Sequence, residues 1–296
     1  MNLSRTMLHH QEERTVSSRI ARREFLAGSL AVGTAATLAE QAQAEKPFFG
    51  RVLGRVLGRR SDQPEQEFYE LRIYRCASAE KRQQTLKHLE GALVPALRRS
   101  GASRIGTFTV ISDKPDHSIH VLIVYPTLDV LGKRNAALAA DSKYQKAAAS
   151  FFAVPKNDPA YTRIETRLMK AFSGMPVVEL PASSKTKATR MFELRIYESY
   201  NEDKAARKVD MFNDGEIDIM RDVKLGPVFF GETLVADDVP NLTYMLSADN
   251  KQAHQDHWKA FLAHPEWDRI KQLPKYKDTV SKITSVMLSP TGFSEI

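Results

Sequence analysis

Glu70, Arg72 and Tyr74 stand two residues apart, and the same three residue types recur at Glu193, Arg195 and Tyr197. A carboxylate can move a proton, a guanidinium can clamp a carboxylate or enolate, and a phenol can donate to an oxyanion. Alternate residues of a strand lie roughly 7 Å apart, so such a stripe can converge on one small molecule. The interleaved positions are apolar (Tyr69, Leu71 and Ile73; Phe192, Leu194 and Ile196), which assigns each polar stripe to a single strand face. The letters Glu-Leu-Arg-Ile-Tyr are identical at 70–74 and 193–197, the mark of an internal duplication. A second use fits the same letters: Glu and Arg on neighbouring strands pair and fix register. Duplication favours that structural use, because a pseudo-twofold core needs two copies and an active centre needs one.

The histidines divide by position. His254 and His257 share a face of an expected helix, beside Trp258 and Phe261. The aligned first-half residues are Leu131 and Arg134, so the pair is not duplicated, as a site evolved in one half would be. His257 therefore joins Glu70, Arg72, Tyr74, Glu193, Arg195 and Tyr197 as a candidate ligand contact. With no third ligand nearby, capping or edge packing is favoured over metal or haem. His120, inside the apolar run 119–125, is expected to point inward with Leu122 and Val124 as a hydrogen-bonded core residue. His88 is expected to border solvent, and His264, before Pro265, to end a helix. Cys76 is the one cysteine, which rules out disulfides within the chain and cysteine-rich metal sites; it reads as a small strand-end hydrophobe. The sequence contains no glycine-rich phosphate loop, Gly-x-Ser-x-Gly elbow, HExxH or calcium loop, which disfavours nucleotide use, serine hydrolysis and zinc proteolysis. The expectation is no metal and no cofactor.

The elements that must position these residues read as βαββαβ, twice. A strand at 68–75 leads to a helix at 80–99, with Leu86, Leu89, Leu93 and Leu97 on one stripe. Pro95 is expected to kink that helix and Gly101 to stop it. Strands at 104–112 and 118–125, a helical stretch at 128–150 and a strand at 161–170 complete the first unit. The second has a strand at 190–198, a helix at 203–223, strands at 227–235 and 241–247, helical stretches at 250–263 and 265–274, and a strand at 279–288. The expected organisation is a leader at 1–44, a basic flexible linker at 45–66, a first domain at 67–170, a linker at 171–188 and a second domain at 189–296. A βαββαβ sheet carries helices on one face. Two such sheets in one chain can cover their bare faces by packing on each other, which would turn the Glu-Arg-Tyr stripes inward.

Residues 1–44 are not read as fold. Arg22, Arg23, Phe25 and Leu26 open an apolar run ending near Leu38, and Ala42-Gln43-Ala44 offers cleavage after Ala44. This pattern resembles a twin-arginine export signal, with Ala21 and Ala27 as departures. The implied partner is the twin-arginine translocase, and the implied location is periplasmic or extracellular, in a bacterium. The run is too short to span a bilayer, which needs about 20 apolar residues, so no integral membrane segment is expected in the mature chain. The net charge of +7 is concentrated early: residues 45–60 hold five basic residues and one acid. The folded part is nearly balanced, which argues against a nucleic-acid partner.

The strand Phe68–Tyr74 with its repeat, the passage Arg99-Ser100-Gly101 leading to Gly106 and Phe108, and the turn Pro265-Glu266-Trp267 with its weaker copy Ser142-Lys143-Tyr144 resemble the NIPSNAP family, whose domain belongs to the dimeric α+β barrel superfamily. The resemblance covers nearly everything after residue 67. It implies an α+β fold in which two ferredoxin-like repeats pack sheet-to-sheet as an intramolecular dimeric α+β barrel. It implies little about reaction, since the superfamily includes cofactor-free monooxygenases, muconolactone isomerases, chlorite dismutases and dye-decolourising peroxidases. The functional expectation is an exported protein that binds, or converts without cofactor, a small organic molecule inside the barrel. The alternatives are a non-catalytic scaffold of the cell envelope and, by superfamily analogy alone, a haem oxidoreductase. Enzyme status and homo-oligomerisation stay open.

Overall fold

A computed structural model describes residues 65–296 apart from Lys187. Arg22, Arg23, Phe25, Leu26, Ala44 and all but the end of the 45–66 segment lie outside the described residues. The first half runs β1 (Phe68–Arg75), α1 (Ala79–His88), a π-helical turn (Leu89–Leu93), α2 (Val94–Arg99), β2 (Arg104–Val110), β3 (Ile119–Tyr125), α3 (Leu128–Ala140), α4 (Ser142–Phe152) and β4 (Arg163–Ala171). After a one-turn α5 (Ala182–Thr186) the second half gives β5 (Met191–Glu198), α6 (Glu202–Met211), a second π-helical turn (Phe212–Glu216), α7 (Ile217–Asp222), β6 (Pro227–Val235), β7 (Asn241–Ala248), α8 (Lys251–Leu262), α9 (Pro265–Lys271) and β8 (Lys282–Pro290).

Local chemistry sets these boundaries in matching places. Ser78 and Asn201 accept from the backbone N–H of Lys81 and Lys204, and Thr127 and Asn250 from those of Val130 and Ala253. Each such cap contributes about 1 kcal/mol. Where a kink was expected at Pro95, a π turn stands just before it, with the Val94 N–H donating to the Leu89 carbonyl. The wider turn makes room for a ring that would otherwise press on the carbonyl of Gly91. Gly101 ends α2 at φ +102°, in a region that L side chains avoid.

All eight strands form one closed antiparallel barrel in the order β1-β3-β2-β8-β5-β7-β6-β4. The expectation of two sheets packed face to face is corrected in one respect: the halves join edge to edge. At one seam Thr109 pairs with Ser289 and Val110 with Leu288; at the other Met169 pairs with Thr233 and Ala171 with Gly231. Closure leaves no unpaired sheet edge. The segment expected as a linker also pairs. Phe172 donates to the Phe230 carbonyl at 3.0 Å and Glu179 to that of Val228 at 2.9 Å, while Phe172 and Met175 are buried.

Three apolar clusters follow. The lumen takes side chains from every strand, among them Tyr69, Leu71, Phe108, Leu122, Met169, Phe192, Leu194, Phe229, Met245 and Leu288. The other two lie between the sheet and the helices of each half; Tyr74 belongs to one and Tyr197 to the other. This overturns the inward placement of the polar stripes. Glu70, Arg72, Tyr74 and their copies face the helical layer, and the apolar alternates face the lumen. The physical reason is that closure strips water from the lumen, where an unpaired charge would be far costlier than under helices that bring partners.

Candidate functional site

In the first half, Glu70 lies beneath α3. Its Oε1 accepts from Arg72 Nε at 2.8 Å, and its Oε2 accepts from Tyr125 Oη at 3.0 Å and from Arg134 Nη1. Arg134 Nη1 also donates to Tyr125 Oη at 3.3 Å. Burial pushes the Glu70 carboxyl up, but Arg72 and Arg134 outweigh it and hold it below the ordinary carboxylate range. Burial, with the Glu70 charge adding to it, raises the Tyr125 phenol to about 12, so it stays a donor. Two guanidiniums thus share one carboxylate. The helix above them, α3, has no buried residue of its own.

The second copy meets a different set of partners. Glu193 accepts from Ser285 Oγ at 2.6 Å, from Trp258 Nε1 at 2.9 Å and from Arg195 Nη1, with His254 Nε2 at 3.0 Å. Burial raises its carboxyl, yet the His254 bond and Arg195, followed by Ser285 and Trp258, pull it down to about 2. Arg195 lies over the Trp258 ring at 4.7 Å and donates from Nε to Tyr197 Oη, which also accepts from Tyr244 at 2.8 Å. Beyond Tyr197, Lys208 and Glu216 form a buried pair at 2.7 Å, with the ammonium 4.7 Å from the Phe212 ring. Arg195 pairs with Glu193 and Lys208 with Glu216, and Ser285, Trp258 and His254 fill the remaining positions around the Glu193 carboxylate.

Six of the seven candidate contacts therefore fall into two separate clusters, one per half. His257 falls into neither: it lines a surface depression with Glu179 and Ser247, because α8 turns His254 and Trp258 toward the strand instead. Arg134, Tyr125, Trp258 and Ser285 were not singled out. The visible signal was the mismatch of Arg134 with His257 across the duplication, which marked where the halves diverge.

The remaining histidines separate cleanly. His264 caps α9, accepting from the Glu266 N–H. His120 points inward as expected, but its Nδ1 has no partner among the described residues, and burial followed by Arg75 lowers its pKa to about 4. His88 does not border solvent; it is buried, stacked on Phe151 with centroids 3.9 Å apart. Cys76 is half-buried against Thr85, and burial raises its thiol. Among the described residues no group of three or more His, Cys, Asp or Glu could hold a metal ion, and no helix is long and apolar enough to cross a membrane.

Residues 192–295 match the NIPSNAP family model. The match spans the second half of the barrel, β5 to β8. The polar cluster of that half, from Glu193 to Ser285, lies inside the matched stretch. No curated protein matches the chain in sequence. Among solved structures, a protein from Lactobacillus acidophilus NCFM provisionally assigned as a monooxygenase superposes over 76% of this chain and 94% of its own, with a TM-score of 0.52 at 10% identity. At that identity the likeness is one of fold alone. A NIPSNAP-like domain protein from Burkholderia xenovorans aligns over 36% of this chain and 88% of its own, at 19% identity and a TM-score of 0.33. A NIPSNAP family protein from Agrobacterium tumefaciens C58 covers 36% and 90%, at 20% identity and a TM-score of 0.29.

Proposed function

We propose that the protein binds a small organic anion, a carboxylate or an enolate, in the polar layer between β1 and α3 rather than in the lumen. One observation carries this: Arg72 and Arg134, with side chains 13% and 14% exposed, share the single carboxylate of Glu70. A mostly buried cluster with one positive charge in excess is relieved by an anion. Tyr125 and Tyr74 supply phenols beside it, and α3, lacking a buried residue, is the cover that can lift. Glu70 was also a candidate base for a cofactor-free conversion. The contacts that keep it ionised make it a weak base, so the arrangement supports binding over proton abstraction. Titration of short carboxylates and 1,3-dicarbonyl enolates checks the reading. The expected result is saturable binding that Arg134→Leu weakens at least tenfold; equal binding by the folded variant would sink it. Native mass spectrometry of protein from its own host would identify a retained ligand.

The repeated element order and the duplicated pentapeptide support descent of the barrel from two ferredoxin-like repeats. The Arg22-Arg23 leader supports export by the twin-arginine route, which cell fractionation of an R22K/R23K variant tests by retention inside the cell. A second functional reading, a partner-binding scaffold, is favoured by the apolar lumen and by the shallow depression on α8 around Trp258 and the exposed Leu262. It expects Leu262→Asp to abolish a self- or partner-association seen by size exclusion.

A further inference from the structure

The first half carries a groove that the second half has filled. It runs between α1 with its π turn and α4, encloses about 360 Å³, and has His88, Phe151, Ala92 and Ala147 on its walls with Lys87 at the rim. That volume lies at the small end of the range for ligand pockets. Gly91 opens onto it: a Cβ built there meets no heavy atom within 4 Å.

The duplication explains why the space exists. By the same offset that relates the two pentapeptides, Ala147 corresponds to Ile270, His88 to Met211 and Gly91 to Asp214. Ile270 is buried, and its Cδ1 would lie 2.9 Å from a Cβ at Gly215. Met211 is buried in the same apolar cluster, and the Asp214 carboxylate is taken by Lys275 and Tyr276. Three larger or engaged side chains close the second-half position, and their small or unengaged counterparts leave the first open.

Its chemistry is specific. The His88 imidazole is buried, and its Nδ1, fully enclosed, has no hydrogen-bond partner among the described residues. A buried polar group without a partner is unusual. Three rings surround it: Phe151 stacked at 3.9 Å, Phe152 edge-on at 5.6 Å and Tyr144 at 6.2 Å. Phe152 is also largely exposed. Burial lowers the His88 pKa to about 4, so the ring is neutral near pH 7 and the cation available to the groove is Lys87.

We propose that this groove is a second binding site, distinct from the Arg72–Arg134 cluster, for a small aromatic carboxylate. The ligand ring packs against Phe151, Ala92 and Ala147, its carboxylate meets Lys87, and a polar atom engages the His88 imidazole. Volume limits the occupant to about one substituted ring.

Benzoate is the probe, followed by ligand-observed saturation-transfer NMR on the full chain, with circular dichroism to confirm folding. Binding in the millimolar range or tighter is expected, weakened at least tenfold by Ala147→Ile, which restores the second half's residue, and several-fold by Lys87→Gln. His88→Met should weaken it similarly; if that variant fails to fold, Ala147→Ile carries the test. Absence of benzoate binding, unchanged affinity in folded Ala147→Ile, or benzylamine binding as well as benzoate would each overturn the proposal. So would loss of benzoate binding in Arg134→Leu with retention in Ala147→Ile, which would move the ligand to the polar layer.

Discussion

Two copies of one pentapeptide, on strands of the same barrel, have come to different ends. In both, Glu and Arg lean on each other across one residue and face the helical layer. What differs is what the covering helix delivers. α3 brings a second guanidinium, from Arg134, to Glu70; α8 brings the imidazole of His254 and the indole of Trp258 to Glu193. The strand thus sets where the charges stand, and the helix decides whether they are balanced. A balanced copy is a structural pin. The copy with two guanidiniums on one carboxylate is where the proposed site lies.

The largest effect should separate the two arginines. Arg195→Leu takes the guanidinium from the buried Glu193 carboxylate, leaving it Ser285, Trp258 and His254, and removes the stack on Trp258, with an expected cost of about 3–5 kcal/mol in urea unfolding. Arg134→Leu leaves Glu70 bonded to Arg72 and Tyr125 and should cost no more than about 1 kcal/mol. Similar costs for both would break the distinction.

Acid unfolding offers the next test. The folded-state pKa of Glu193 is depressed to about 2, so its contribution is complete above the unfolded pKa and is lost as pH falls from about 4.5 toward 2. The shift corresponds to about 3 kcal/mol. Glu193→Gln should flatten that part of the stability–pH curve, and an unchanged acid limb would show that the pin is weaker than its contacts indicate. The smallest expected effects are common to both halves: Ser78→Ala and Asn201→Ala remove matching helix caps and should each cost about 1 kcal/mol. A markedly larger loss in one half would mean that the caps too have diverged.

The element order and most strand boundaries were legible in the sequence because alternation and helical periodicity are local. β1 and β6 occupy the residues expected of them. The stripes' membership was also legible, but not which layer they face. Alternation says that Glu70, Arg72 and Tyr74 share a side; it does not say whether helices or a second sheet cover that side. The assumption that helices take the apolar face failed because a closed barrel buries both. The π turns escaped for a related reason: one extra residue per turn shifts the stripe without changing composition, and Pro95 hinted at a break without naming its kind. Arg134 and Trp258 became partners only once α3 and α8 were laid over their strands. His88 looked exposed because its helix was read without α4 packed against it.

The closing seam carries a last consequence, in time rather than space. β8 is the final strand of the barrel, and it zips onto β2, made some 170 residues earlier, as well as onto β5. Until it emerges from the ribosome, β2 presents an open edge beside a half-built lumen. Pairing over such sequence distance is slow, and an unpaired edge invites association with other chains. The interval between synthesis of β2 and arrival of β8 is therefore the chain's most vulnerable period, and a truncation that removes β8 leaves both halves with an unsealed margin.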